Sequence, residues 1–87
     1  MGIKFDFKVL NFIEEKDYTC YVVQCSSHKF GRIIKAHYDG SVYIPNYQQQ
    51  LAAMPDLDRT FLDIQLAIFI LQRENGNFYI TKEKPKV

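Results

Sequence analysis

Residues 55–76 read PDLDRTFLDIQLAIFILQRENG, the longest helix signal in the chain. Proline suits a first helical turn, and Asp56 and Asp58 complement the positive end of the helix dipole. Asn75-Gly76 offers a stop, because glycine accepts the left-handed conformation in which helices commonly end. At about 100° per residue, Leu57, Phe61, Ile64, Ala67, Ile68 and Leu71 share an arc of about 120°, which predicts the core-facing stripe. Leu62, Leu66, Phe69 and Ile70 form a second arc, about 100° wide and roughly opposite the first. Arg59 and Arg73 lie on that second stripe, beyond its apolar middle at each end. Polar groups otherwise keep to a strip with Asp58, Gln65 and Gln72, and to Asp63.

A helix apolar on every side is normally buried on every side. A sheet and a short preceding helix can cover both stripes within one chain, or a second copy or another protein can take the second stripe. Exposed apolar patches of this size usually mark contacts. The expected interface, between two copies of the chain in preference to another protein, is therefore Leu62, Leu66, Phe69 and Ile70, with Arg59 and Arg73 as rim contacts that set register.

The strands flank this helix. Residues 3–9 alternate strictly, which puts Ile3, Phe5, Phe7 and Val9 on the inner side of a half-buried strand. The parity changes at Leu10 and Phe12, as a bulge near Val9-Leu10 would cause. A polar loop over Glu14-Glu15-Lys16-Asp17 leads to residues 18–25 (YTCYVVQC), rich in β-branched and aromatic side chains, so the two segments read as a hairpin. From Phe30 to Tyr38, helical spacing competes with Gly31 inside the segment and with Asp39-Gly40, a strong signal for a two-residue type I′ turn. The hairpin is the chosen reading, with Tyr38 opposite Ser41 and His37 opposite Val42. Pro45 ends that strand. Asn46 followed by Gln49 resembles a capping box for a short helix over residues 47–54, with Gln48, Gln49 and Gln50 mostly solvated. Residues 77–82 (NFYITK) read as a last strand, and 82–87 as a frayed tail. The order ββββααβ predicts one small α+β domain, an antiparallel sheet of four to five strands packed on the long helix.

Composition sets the exclusions. An apolar content of 47% with a net charge of +1 over 87 residues argues against disorder. Residues 1–30 carry four basic and four acidic side chains, and residues 31–60 three of each, so no basic stripe marks a nucleic-acid binder. The N-terminus alternates instead of forming an apolar run, and the longest apolar run, residues 66–71, is far too short to span a bilayer. A soluble, cytoplasmic protein that makes no membrane contact is expected. Cys20 and Cys25 are too few for a disulfide framework, and a separation of five puts them on opposite faces of one strand.

Cys20, Cys25, His28 and His37 are the one soft-ligand set, but zinc sites bring ligands in tight pairs and only Cys25 and His28 are close. No metal and no cofactor are expected. A Cys25 nucleophile with His28 or His37 lacks an oxyanion hole and a helix start behind it. Asp56, Asp58 and Asp63 could form a carboxylate cluster, yet the first two are explained by the helix dipole. The glycines are isolated at 2, 31, 40 and 76, so no phosphate loop exists. The reading is a small non-catalytic interaction module: a regulator, an inhibitor or antitoxin-like protein, or an accessory subunit. The alternative is a single-stranded nucleic-acid binder that stacks bases on Tyr18, Tyr21, Tyr38 and Tyr43, with Lys8, Lys29, Arg32 and Lys35 on phosphates.

Overall fold

A computed structural model describes residues 3–28 and 30–82, with side chains described as far as Asn75. Strands β1 (Asp6–Glu14), β2 (Thr19–Ser27), β3 (Phe30–Tyr38) and β4 (Val42–Tyr43) form one antiparallel sheet in the order β1-β2-β3-β4. A single turn of helix, α1 (Tyr47–Gln50), and a 27-residue helix, α2 (Asp56–Lys82), follow. The α+β class and the β1–β2 and β3–β4 hairpins are as the sequence predicts, and the pairing of β2 with β3 joins them into a meander.

The alternation in β1 and β2 survives in space. Phe7 lies opposite Cys25 and Val9 opposite Val23, and the register shifts between Val9 and Asn11, so the bulge falls at Leu10. Beyond it Phe12 lies opposite Tyr21, and the two rings stack with centroids 5.8 Å apart. Ile34 and Ala36 of β3 continue the inner face from Val23 and Tyr21. Together with Phe5, Cys25, Ile44, Leu51 and Met54, they form the sheet side of the core.

The β3–β4 turn differs from the expected one. Tyr38 pairs with Val42 and His37 with Tyr43, so the loop holds Asp39, Gly40 and Ser41. Only Gly40 has positive φ there, at 114°, whereas a type I′ turn needs it at two residues. The Asp39 carboxylate explains the longer loop: its Oδ1 accepts from the Ser41 backbone N–H at 3.2 Å and from the Ser41 hydroxyl at 3.3 Å. Such Asx bonding competes with a tighter turn. The one-residue shift puts Ile44 rather than Tyr43 on the core side.

Two glutamine amides finish the sheet where strand partners are lacking. Gln50 accepts from the Lys35 N–H at 2.8 Å and donates to the Lys35 carbonyl at 2.9 Å, beside the point where β4 ends. It also donates to the Pro45 carbonyl at 2.7 Å. Gln65 of α2 accepts from the Phe5 N–H at 2.9 Å and donates to the Ile3 carbonyl at 2.7 Å. A primary amide carries one acceptor and two donors, so it can copy the N–H and C=O pair of a neighbouring strand. Gln50 is thus a structural clamp rather than a solvated side chain. The helix it belongs to is shorter than the expected 47–54. Asn46 sits in the left-handed region at φ 53° and makes no side-chain cap bond, so the capping box does not form.

The expected fifth strand is replaced by helix, since α2 runs through Gly76 to Lys82. A mid-helix glycine costs about 1 kcal/mol relative to alanine, whereas a strand needs a free sheet edge to satisfy its backbone. Helix continuation satisfies those groups within the segment itself. Residues 83–87 of the expected tail lie outside the described residues.

Candidate interaction surface on the long helix

The two apolar stripes of α2 exchange the places expected of them. Leu62, Leu66 and Ile70 are 0% exposed and close the core against the sheet. Phe69 is half-buried, with its ring 5.2 Å from that of Phe7. The supposed core stripe faces away, and Leu57, Ile64 and Ile68 are 63%, 51% and 49% exposed. The surface expected at Arg59, Leu62, Leu66, Phe69, Ile70 and Arg73 is therefore not available to a partner. Its apolar members are occupied by the chain's own sheet, leaving Arg73 exposed beside them, with its guanidinium 6.0 Å from the Phe69 ring.

Polar anchors fix this rotation of the helix. Arg59 reaches back over the start of α2: its Nε donates to the Met54 carbonyl at 2.9 Å and its Nη1 to Gln48 Oε1 at 3.1 Å. Its other nitrogen lies 3.4 Å from Asp56. Gln65 ties the middle of the helix to residues 3–5. Near the far end, the Tyr21 hydroxyl donates to the Glu74 carboxylate, and burial together with that acceptor pushes the phenol up to about 12. These three points hold α2 to the α1 connection, to the segment before β1 and to β2.

The outward stripe has a regular spacing that sequence reading passed over. Leu57, Phe61, Ile64, Ile68 and Leu71 follow one another in alternating steps of four and three. That is the spacing of a coiled-coil seam, narrower than the usual stripe of a helix lying on a sheet. Phe61 and Leu71 are half-buried at its edges. The flanking positions are Asp58, Gln65 and Gln72 on one side and Thr60, Ala67 and Glu74 on the other.

The remaining candidate residues are dispersed. Cys25 is fully buried among apolar side chains, and burial pushes its thiol up to about 12, so it is an inert core residue. His37 pairs across β2 with Cys20 on the opposite face of the sheet from Cys25, which removes the Cys25–His37 pair. Among the described residues, no group of three or more His, Cys, Asp or Glu side chains stands together. Asp56 pairs with Arg59, Asp58 lines a cavity, and Asp63 stands apart with its carboxyl raised by burial.

The aromatic platform is split as well. Tyr21 and Tyr38 turn towards the helix, and the outer face keeps Tyr18 and Tyr43 around His37. The Tyr18 and His37 rings lie 4.4 Å apart, and the Tyr43 hydroxyl is 3.3 Å from His37 Nδ1. Lys8 and Lys35 share that face with Asp6, Arg32 belongs to the other side, and Lys29 lies outside the described residues. That balance supplies little of the phosphate neutralisation on which nucleic-acid affinity rests. Among the described residues, no helix is long and apolar enough to cross a membrane. No protein family matches the sequence, and the chain matches no curated protein and no solved structure.

Proposed function

We propose that the chain is a small non-catalytic interaction module that pairs through the outward seam of α2, Leu57, Phe61, Ile64, Ile68 and Leu71, with a second copy of itself. The observation that carries this reading is the exposure of Leu57, Ile64 and Ile68 at seam spacing on a helix already anchored by its other face. Each large apolar side chain taken out of water contributes about 1.5–3 kcal/mol, a considerable sum for a small domain. An antiparallel pair crossing at the level of Leu66 sets Phe61 against Leu71 of the second copy and Ile64 against its Ile68. The same register brings Asp58 to Gln72 and Thr60 to Glu74, so no like charges meet. It also opposes the two helix dipoles.

The seam is two heptads long, which is short for a coiled coil, so the dimer is concentration-dependent. Light scattering on a dilution series tests it. Wild type should approach twice the chain mass at high concentration, and Ile68→Glu should stay monomeric and folded at every concentration. A wild type that is monomeric throughout would sink the reading.

A further inference from the structure

We propose that the cavity between the start of β3 and the α1–α2 connection binds a free α-amino acid with an apolar side chain of about leucine size. The cavity measures about 270 Å³. Its apolar walls are Phe5, Phe30, Met54 and Pro55, and its charged lining groups are Arg32 and Asp58. At about 30 Å³ for each water, that space holds roughly nine waters, ample for a molecule the size of leucine, isoleucine or methionine.

The charges decide the ligand class. Arg32 spends one guanidinium nitrogen on the carbonyls of Gln50, at 2.7 Å, and Ala52, at 3.1 Å. The guanidinium stacks over Phe30, 5.4 Å from the ring centre. Asp58 is half-buried and makes neither a hydrogen bond nor an ion pair, with Arg32 or with any other group among the described residues. Asp58 thus has only the helix N-terminus to offset its charge, and the Arg32 guanidinium uses only one of its nitrogens in hydrogen bonds. A simple anion would meet Asp58 and a simple cation would meet Arg32. A zwitterion satisfies both, with its carboxylate on the Arg32 fork and its ammonium on Asp58. The apolar walls then take its side chain. The wall is also strained: Ala53 holds φ 69°, a left-handed conformation unfavourable for a residue with a Cβ. This site shares Asp58 with the flank of the helix seam but none of the seam's apolar residues.

Arg32 also holds α1, so the test places the burden on Asp58→Asn and on the ligand. ¹⁵N-resolved NMR titrations would use L-leucine, L-leucinamide and N-acetyl-L-leucine. L-leucine should saturate with a Kd of about 1 mM or tighter and move the amides of Ala53 and Asp58. Leucinamide, which lacks the carboxylate, and N-acetylleucine, which lacks the ammonium, should each bind at least about tenfold more weakly. Asp58→Asn should weaken leucine by a similar factor while leaving N-acetylleucine unchanged. The proposal is overturned if leucine gives no saturable shift up to about 20 mM. It is equally overturned if the three ligands bind alike, or if the shifts map to the helix seam instead of the cavity.

Discussion

The inner and outer faces of α2 are made of the same kinds of residue and lead opposite lives. Leu62, Leu66 and Ile70 are sealed against the sheet, whereas Leu57, Ile64 and Ile68 stand about half or more in water. Composition does not separate the stripes; spacing and neighbours do. The inner residues repeat at steps of four, a ridge that Glu74 continues, with Phe69 and Arg73 in the row beside it. The outer residues alternate four and three, the period that keeps a seam facing another helix. A helix that is apolar twice over can therefore be holding its own domain together on one side and offering itself on the other.

The comparison breaks most visibly with a charge on each face. Leu66→Glu should abolish folding, because an unpaired carboxylate in a core position costs more than the few kcal/mol that a small domain holds in reserve. Circular dichroism and thermal melts of Leu66→Glu beside Ile68→Glu read this directly. If Leu66→Glu folds and Ile68→Glu does not, the assignment of faces is reversed.

A smaller effect should follow from loosening the anchor between the two faces. Gln65→Ala leaves the Phe5 N–H and the Ile3 carbonyl without their partners and should cost about 1–3 kcal/mol in urea unfolding. Hydrogen exchange should rise first at Phe5. An unchanged unfolding midpoint would mean that Gln65 follows the helix rotation and does not help to set it.

The smallest effect concerns Asp63, on the flank of the inner stripe. Burial raises its carboxyl above the ordinary value of 3.8, and it makes no hydrogen bond or ion pair among the described residues. A raised folded-state value means that ionisation works against folding. The penalty is absent below the unfolded value and is complete once the pH exceeds the folded one. Asp63→Asn should therefore melt slightly higher than wild type at pH 7, and the two should converge at about pH 3. A mutant less stable at pH 7 would reveal a favourable contact for the charged form.

The local facts were legible in the residues. Alternation at Ile3, Phe5, Phe7 and Val9, the change of parity at Leu10, and the β-branched run of β2 each depend on neighbours along the chain, and each appears in the sheet. The helix start at Asp56 and the strand over Phe30–Tyr38 are legible for the same reason. The exposed seam was written in the four-three spacing, but its exposure was not.

Tertiary structure decided the rest. Which stripe of α2 meets the sheet is a rotation about the helix axis, and helical periodicity is indifferent to it. The rotation is set by contacts between groups far apart in sequence. Gln65 meets Phe5 across a separation of 60 residues, and Tyr21 meets Glu74 across 53. The same holds for the helix running past Gly76, and for the loop at Gly40, where Asp39 took the bonds of a tighter turn. Sequence set the period of each element. The partners that each element found in space set its phase and its end.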